Sequence, residues 1–241
     1  MHSLSLYAQI PSSRHTQALN ILAGISGTQP RETYSHTLIY APLRAATDPN
    51  VISKKSNAAG QQQQQQLSYV QLESEVTQAD FGSNSGTVHD FTITTQDTPE
   101  PETRNLVLRR VTTEPEHLSQ DDAKARFSQG SKYKFITDFV QEGHVLVHND
   151  VILRLRRVLC FKPATGAAGL DRAEMPPLSE LVLLDASGAW MLEATVRVED
   201  RSKTALVRAA SDQLQALRTE LRGAIELRVP ERLAMITRVR A

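Results

Sequence analysis

Residues 144–161, HVLVHNDVILRLRRVLCF, constrain the fold more than any other stretch of the sequence. Val145 and Val147 share one side of an extended chain, and Val151, Leu153 and Leu155 share a side beyond the break. Arg154 and Arg156 fall on the opposite side, the period-2 alternation of a half-buried strand. Asn149 and Asp150 stand between the two runs and tolerate the positive φ of a tight hairpin turn. Residues 181–184, the turn-like Asp185-Ala186-Ser187-Gly188 and residues 190–198 read as a second hairpin of the same kind. Two hairpins near the middle of the chain make an antiparallel sheet the organising feature.

Other strands flank them. In residues 4–10, Leu4, Leu6, Ala8 and Ile10 alternate with Ser5, Tyr7 and Gln9. Pro11 ends this strand, and Ser12 or Ser13 can cap a helix whose apolar residues are Ala18, Leu19, Leu22 and Ile25. Gly24 or Gly27 stops it. Residues 35–40 and 105–112 read as strands, 87–95 as extended, and 67–76 as either a strand or a short helix. Residues 114–130 hold a turn or one short helix, and 133–140 lead into the first hairpin. Residues 202–222 form the clearest helix, with Leu206, Ala210, Leu214, Leu217 and Leu221 in a stripe roughly 80° wide that docks on the chain's own sheet. Arg218 and Arg222 near its end and Gly223 after it suit a helix C-terminus. Two short extended runs, 225–229 and 234–239, close the chain around Pro230. Strands on both sides of the helices imply a mainly β (α+β) fold, one closed or strongly curved antiparallel sheet with few helices.

Composition narrows what this sheet can do. The 241 residues carry 27 Lys plus Arg against 27 Asp plus Glu, so the basic excess of a free-standing nucleic-acid binder is missing. Direct nucleic-acid binding is therefore disfavoured. A lone cysteine, Cys160, allows no internal disulfide and reads as packing, not as a nucleophile. No apolar run approaches the ~18 residues of a membrane span, and the expectation is a soluble, intracellular protein. Residues 43–67, with an unbroken glutamine tract from Gln61 to Gln66, read as a disordered insertion. Residues 164–177, rich in Gly, Ala and Pro, read as a second loop, and length alone allows one large β domain or two small ones.

Chemistry has few footholds. Glu73 and Glu75 at i and i+2 share a strand face about 6 to 7 Å apart and could converge on a divalent metal inside a barrel. Arg154 and Arg156 would then offer phosphate contacts, which sketches a tunnel-type, metal-dependent triphosphatase. That chemistry needs several further acids on the inner wall; residues 4–10 supply none and 225–229 only Glu226. His144 and His148 share a face but stand about 13 Å apart, too far to ligate one metal. The remaining histidines are scattered. Arg109-Arg110 and the 154–157 run read as sheet-face charges. The sequence thus assigns no catalytic, cofactor-binding or metal-binding residue.

Four stretches resemble a known family: LSLYAQIPSSRHTQALNILAGISGTQP (4–30), SHTLIYAP (35–42), KYKFITDFVQEGHVLVHNDVILRLRRV (132–158) and LRTELRGAIELRVPERLAMITRVR (217–240). Together they resemble the subunit 18 family of the Mediator complex, in its filamentous-fungal form. Ile236 departs from the acidic residue that the family pattern suggests before Thr-Arg-Val. The resemblance implies that the whole of 1–241 forms a single domain, with loops at about 43–67 and 164–177: a many-stranded antiparallel β-barrel with flanking helices, similar to the tunnel barrel of RNA triphosphatases but without their catalytic acids. It also implies a nuclear, non-catalytic subunit of the Mediator head module. Such a subunit pairs with Mediator subunit 20, receives a C-terminal helix of subunit 8 and relays regulatory signals to RNA polymerase II. It implies no cofactor, no small-molecule substrate and no membrane contact. Partner-binding residues are not assigned by it.

Overall fold

A computed structural model describes residues 1–43, 67–83, 90–101, 105–128, 132–162, 168–172 and 174–239. The glutamine tract lies outside the described residues, as do most of the 43–67 insertion and residues 163–167. Among the described residues nine strands form: β1 (His2–Ile10), β2 (Arg31–Pro42), β3 (Val70–Val76), β4 (Thr92–Gln96), β5 (Val107–Thr113), β6 (Tyr133–His148), β7 (Val151–Cys160), β8 (Val182–Leu183) and β9 (Trp190–Val198). They are joined by three α-helices, α1 (His15–Ser26), α2 (Gln120–Phe127) and α3 (Thr204–Glu220). The ladder runs β6-β2-β3-β4-β5-β1-β9-β7, and β7 pairs back onto β6, so eight antiparallel strands close a barrel. Closure satisfies the backbone groups that an open edge would leave bare.

The 144–161 stretch forms the hairpin its pattern predicts. His148 faces Val151 in the ladder, and Asn149 turns the chain with φ 53°. The apolar side is set differently from expectation: Val140 and Leu146 are buried in β6, whereas Val147 is 49% exposed. The second expected hairpin does not form. β8 pairs with the end of β7, through Leu159–Leu183 and Cys160–Val182, while β9 lies between β1 and β7. The Asp185–Gly188 turn is real, with the Asp185 carboxylate accepting from the Ser187 N–H at 2.9 Å. Turn chemistry is local, however, and does not choose a strand's partner.

The helices cover the outside of the wall. Pro11 leads into a 3-10 turn, Ser12–Arg14, and no serine caps α1. Its C-terminus follows expectation: Gly27 adopts φ 63° and its N–H closes on the Ala23 carbonyl. Helix α1 buries Ala18 and Leu22, and α3 buries Ala210, Leu214 and Leu217; Leu206, counted in the expected stripe, is 46% exposed. These side chains pack on Leu4, Leu6, Leu153, Leu155 and Leu192 of the wall, each at most 0% exposed. A second core joins Leu38, Leu72 and Ile93 of the wall to Ala123 and Phe127 of α2 and to Leu170. Both cores thus lie outside the barrel, between wall and helices. The chain's last runs, expected as strands, make only single bridges, Tyr7–Arg228 and Ser68–Arg238, around a 3-10 turn Arg232–Met235.

Candidate functional site

If every even residue of β1 packs outward on the helices, every odd one faces the lumen. Applied around the wall, this alternation leaves a polar cavity of about 570 Å³ inside the barrel. Glu73 and Glu75 of β3 line it, and so do Arg154 and Arg156 of β7. The four residues singled out from the sequence therefore share one cavity. Strand β3 stands across the lumen from β9 in the ladder order, and the Glu73 carboxylate acts on the Arg154 guanidinium across that space.

The charge centre of the lumen is a residue that the sequence reading did not single out. Glu193 of β9 is 7% exposed and accepts from the Tyr7 hydroxyl at 2.9 Å and from Arg156 Nη2 at 2.8 Å. Arg109 Nη2 lies 3.8 Å from the same carboxylate and donates to the Tyr7 hydroxyl oxygen at 2.8 Å. Burial alone would raise the Glu193 pKa, but Arg156, Arg109 and the Tyr7 hydrogen bond outweigh it and hold the carboxyl below its ordinary range. Tyr7 moves the other way, to about 12, through burial and the adjacent carboxylate. Beside this network the Ser5 and Thr195 hydroxyls bond each other at 2.8 Å.

Arg109 and Arg110 both read as sheet-face charges in the sequence. Only Arg110 is exposed; Arg109 turns into the lumen. Glu193 had its own signal: Met191, Glu193, Thr195 and Arg197 alternate with the apolar Leu192, Ala194 and Val196. The acids, however, do not assemble a metal site. Among the described residues no group of three or more His, Cys, Asp or Glu side chains converges, and Glu193 is already engaged by two arginines and a tyrosine. The lumen thus gathers the Glu73/Glu75 and Arg154/Arg156 set without the further free carboxylates that the triphosphatase sketch required.

A closed barrel with outer helices and a polar tunnel is the architecture that the family resemblance implied. The sequence matches the profile of the Med18 protein family over residues 2–238. The chain belongs to the Med18 family. Relatives named Mediator of RNA polymerase II transcription subunit 18 align along the whole of both chains: 27% identical in Aspergillus oryzae, 28% in Aspergillus niger and 24% in Yarrowia lipolytica. The fold is shared with a chain of the Schizosaccharomyces pombe Mediator head module, with a TM-score of 0.69 and 17% identity over 95% of this chain and 99% of that one.

Outside the lumen, two polar clusters pin segments to this Med18-family barrel. Asp138 of β6 lies 3.3 Å from His36 Nε2 and 3.3 Å from Arg172 Nη2, and accepts from the Gly169 N–H at 3.2 Å. Burial would raise its pKa, but His36 and Arg172 hold it below the usual carboxylate range. The Arg172 guanidinium also lies 3.6 Å from the Phe161 ring centroid. These contacts fasten the 3-10 turn Gly169–Asp171, part of the expected 164–177 loop, onto the wall. On the α1 side, His15 stacks on Trp190 at 3.9 Å and approaches His144 at 5.2 Å. Burial lowers both histidine pKa values from 6.5. His148 instead stands 3.8 Å from Glu220 of α3, so the two β6 histidines serve different helices. Cys160 is half-buried, and burial raises its thiol pKa, which suits packing better than attack.

Proposed function

We propose that this chain is the Mediator subunit 18 of its organism, a non-catalytic subunit of the head module that works in the nucleus through protein contacts. The observation that carries this reading is the family match across residues 2–238, together with relatives that align from end to end. The fold shared with a Mediator head-module chain supports it. In this reading the subunit pairs with Mediator subunit 20, receives a C-terminal helix of subunit 8 and helps relay regulatory signals to RNA polymerase II. The lumen supports a non-catalytic role, because its most buried carboxylate is spent on structure.

Co-expression with subunit 20 of the same organism, followed by size-exclusion chromatography with light scattering, tests the proposal. A stoichiometric heterodimer is the expected result. A stable monomer that binds neither subunit 20 nor the subunit 8 tail would overturn it.

A further inference from the structure

The end of α3 carries arginines that the folded chain leaves unpaired. Arg218 and Arg222 stand one helical turn apart, and both are exposed. Gly223, with φ 86°, turns the chain back, and the returning residues alternate: Ile225 and Leu227 are buried, while Glu226 and Arg228 face outward. Arg14 reaches the same place from the turn before α1, donating from Nη2 to the Ala224 carbonyl at 2.9 Å. Four arginines therefore surround one carboxylate, in a chain whose formal net charge is +0. That carboxylate, Glu226, accepts from Arg228 at 2.6 Å, which lowers its pKa, and Arg222 and Arg218 add to the shift from further away. Among the described residues the side chains of Arg218 and Arg222 make no ion pair or hydrogen bond. A helix dipole favours cations at these two positions, but it does not account for Arg14 and Arg228, which lie outside the helix.

The backbone beside them is open as well. Residues 225–229 meet β1 through a single bridge, Tyr7–Arg228. Both hydrogen bonds of that bridge form, at 2.9 and 2.7 Å, and the ladder then stops: Gln9 and Glu226, next in register, exchange none. The two segments part around a cleft of about 580 Å³, lined by Ile10, Pro11 and the 50% exposed Met191. A second cleft, of about 340 Å³, lies against Arg218 and Arg222. Both clefts share Ile225, Glu226 and Arg228, so apolar and cationic surface meet along one edge.

These features select the occupant. Arginine forks pair with carboxylates. An unfinished ladder offers its backbone groups to an extended chain, whose alternate side chains can enter an apolar cleft. A nucleic-acid strand fits less well, because Glu226 would oppose its phosphates. Tyr7, the one aromatic ring among the described lining residues, is pinned by Glu193 and Arg109, so bases find no row of stacking platforms.

We propose that this edge docks an acidic, extended peptide segment of a partner protein, its carboxylates on Arg218 and Arg222 and its apolar side chains in the cleft beside Ile10. The seat goes beyond the pairing proposed above and is tested without any other Mediator subunit, so either can fail alone.

Fluorescence anisotropy of the full-length chain with a labelled peptide of about six residues, alternating glutamate with leucine, tests it. Saturable one-to-one binding is expected, weakened by added salt and absent when lysine replaces glutamate. Arg218→Gln combined with Arg222→Gln should weaken binding about tenfold. The thermal midpoint of that variant should stay close to the parent's, because exposed charges contribute little to stability. Glu226→Gln removes the internal competitor and should tighten binding. A labelled oligothymidylate of matching length serves as the control: binding as tight as that of the acidic peptide would assign the surface to nucleic acid and overturn the proposal. Absence of saturable peptide binding, or one affinity shared by the parent chain and both variants, would overturn it too.

Discussion

The outer and inner faces of the barrel wall are made by the same strands, yet they hold the molecule together by different physics. On β9, Leu192 points outward and is 0% exposed, while Glu193 points inward and is 7% exposed. Leu192 sits among apolar side chains of β1, β7 and the helices, where stabilisation follows the area removed from water. Glu193 is buried at the cost of its hydration, and arginines and a tyrosine offset that cost. Burial by itself therefore says little about what a residue contributes. In this barrel the leucine-rich layer lies outside the wall, and the space inside is lined mainly by charged and polar side chains, with Val111, Phe139, Val145 and Met191 among them.

The widest gap between the faces should appear on truncation. Leu192→Ala opens a cavity under the helices and should cost about 2–5 kcal/mol in urea unfolding. A loss under about 1 kcal/mol would show that α1 and α3 do not rely on this layer.

Glu193→Gln keeps shape and removes charge, leaving Arg156 and Arg109 with a neutral acceptor. The expected loss is smaller, about 1–3 kcal/mol. A variant as stable as the parent would mean that the lumen network contributes specificity without stability.

Acid should separate the faces most finely. Burial lowers the pKa values of His15 and His144 on the outer side. The unfolded chain then takes up protons first, and stability declines as pH falls below about 6.5. Glu193 in the lumen has a depressed carboxyl pKa, and Asp138 on the outer side adds to the same low-pH stage. Their contribution is fully present above about pH 4 and is lost as pH falls through the folded values. Thermal midpoints measured against pH should thus fall in two stages, and Glu193→Gln should reduce only the lower one. An unchanged lower stage in that variant would remove Glu193 from the account.

What could be read from the sequence divides along the same line. Period-2 alternation identified β1, β5 and β7, put Glu73 with Glu75, and put Arg154 with Arg156, because a strand's two faces are encoded residue by residue. The Asn149 turn and the Gly27 helix stop are equally local, each a matter of which residues tolerate positive φ. Pairing is not local. Residues 181–198 contain the turn of a hairpin, yet β9 joins β1, about 190 positions away in the Ser5–Thr195 pair, and β7. The central role of Glu193 depends on that closure. Arg109 and Tyr7 reach it only once β5, β1 and β9 lie side by side, so no window of sequence contains the site. The terminal runs 225–229 and 234–239 had strand-like composition but found only single bridges, since the ring was already closed by eight other strands.

The strict alternation of β9 also bears on the fidelity of folding. Nine consecutive residues of this strand pair with β1, from His2–Val198 to Ile10–Trp190. A slip of one residue would exchange the faces of all nine. Glu193 and Arg197 would enter the leucine layer under the helices, and Leu192, Ala194 and Val196 would face the wet interior. The charges inside the barrel therefore act as a proofreading signal during closure: misaligned rings are penalised on both surfaces at once, and the seam between the first strand and the last closes in one register.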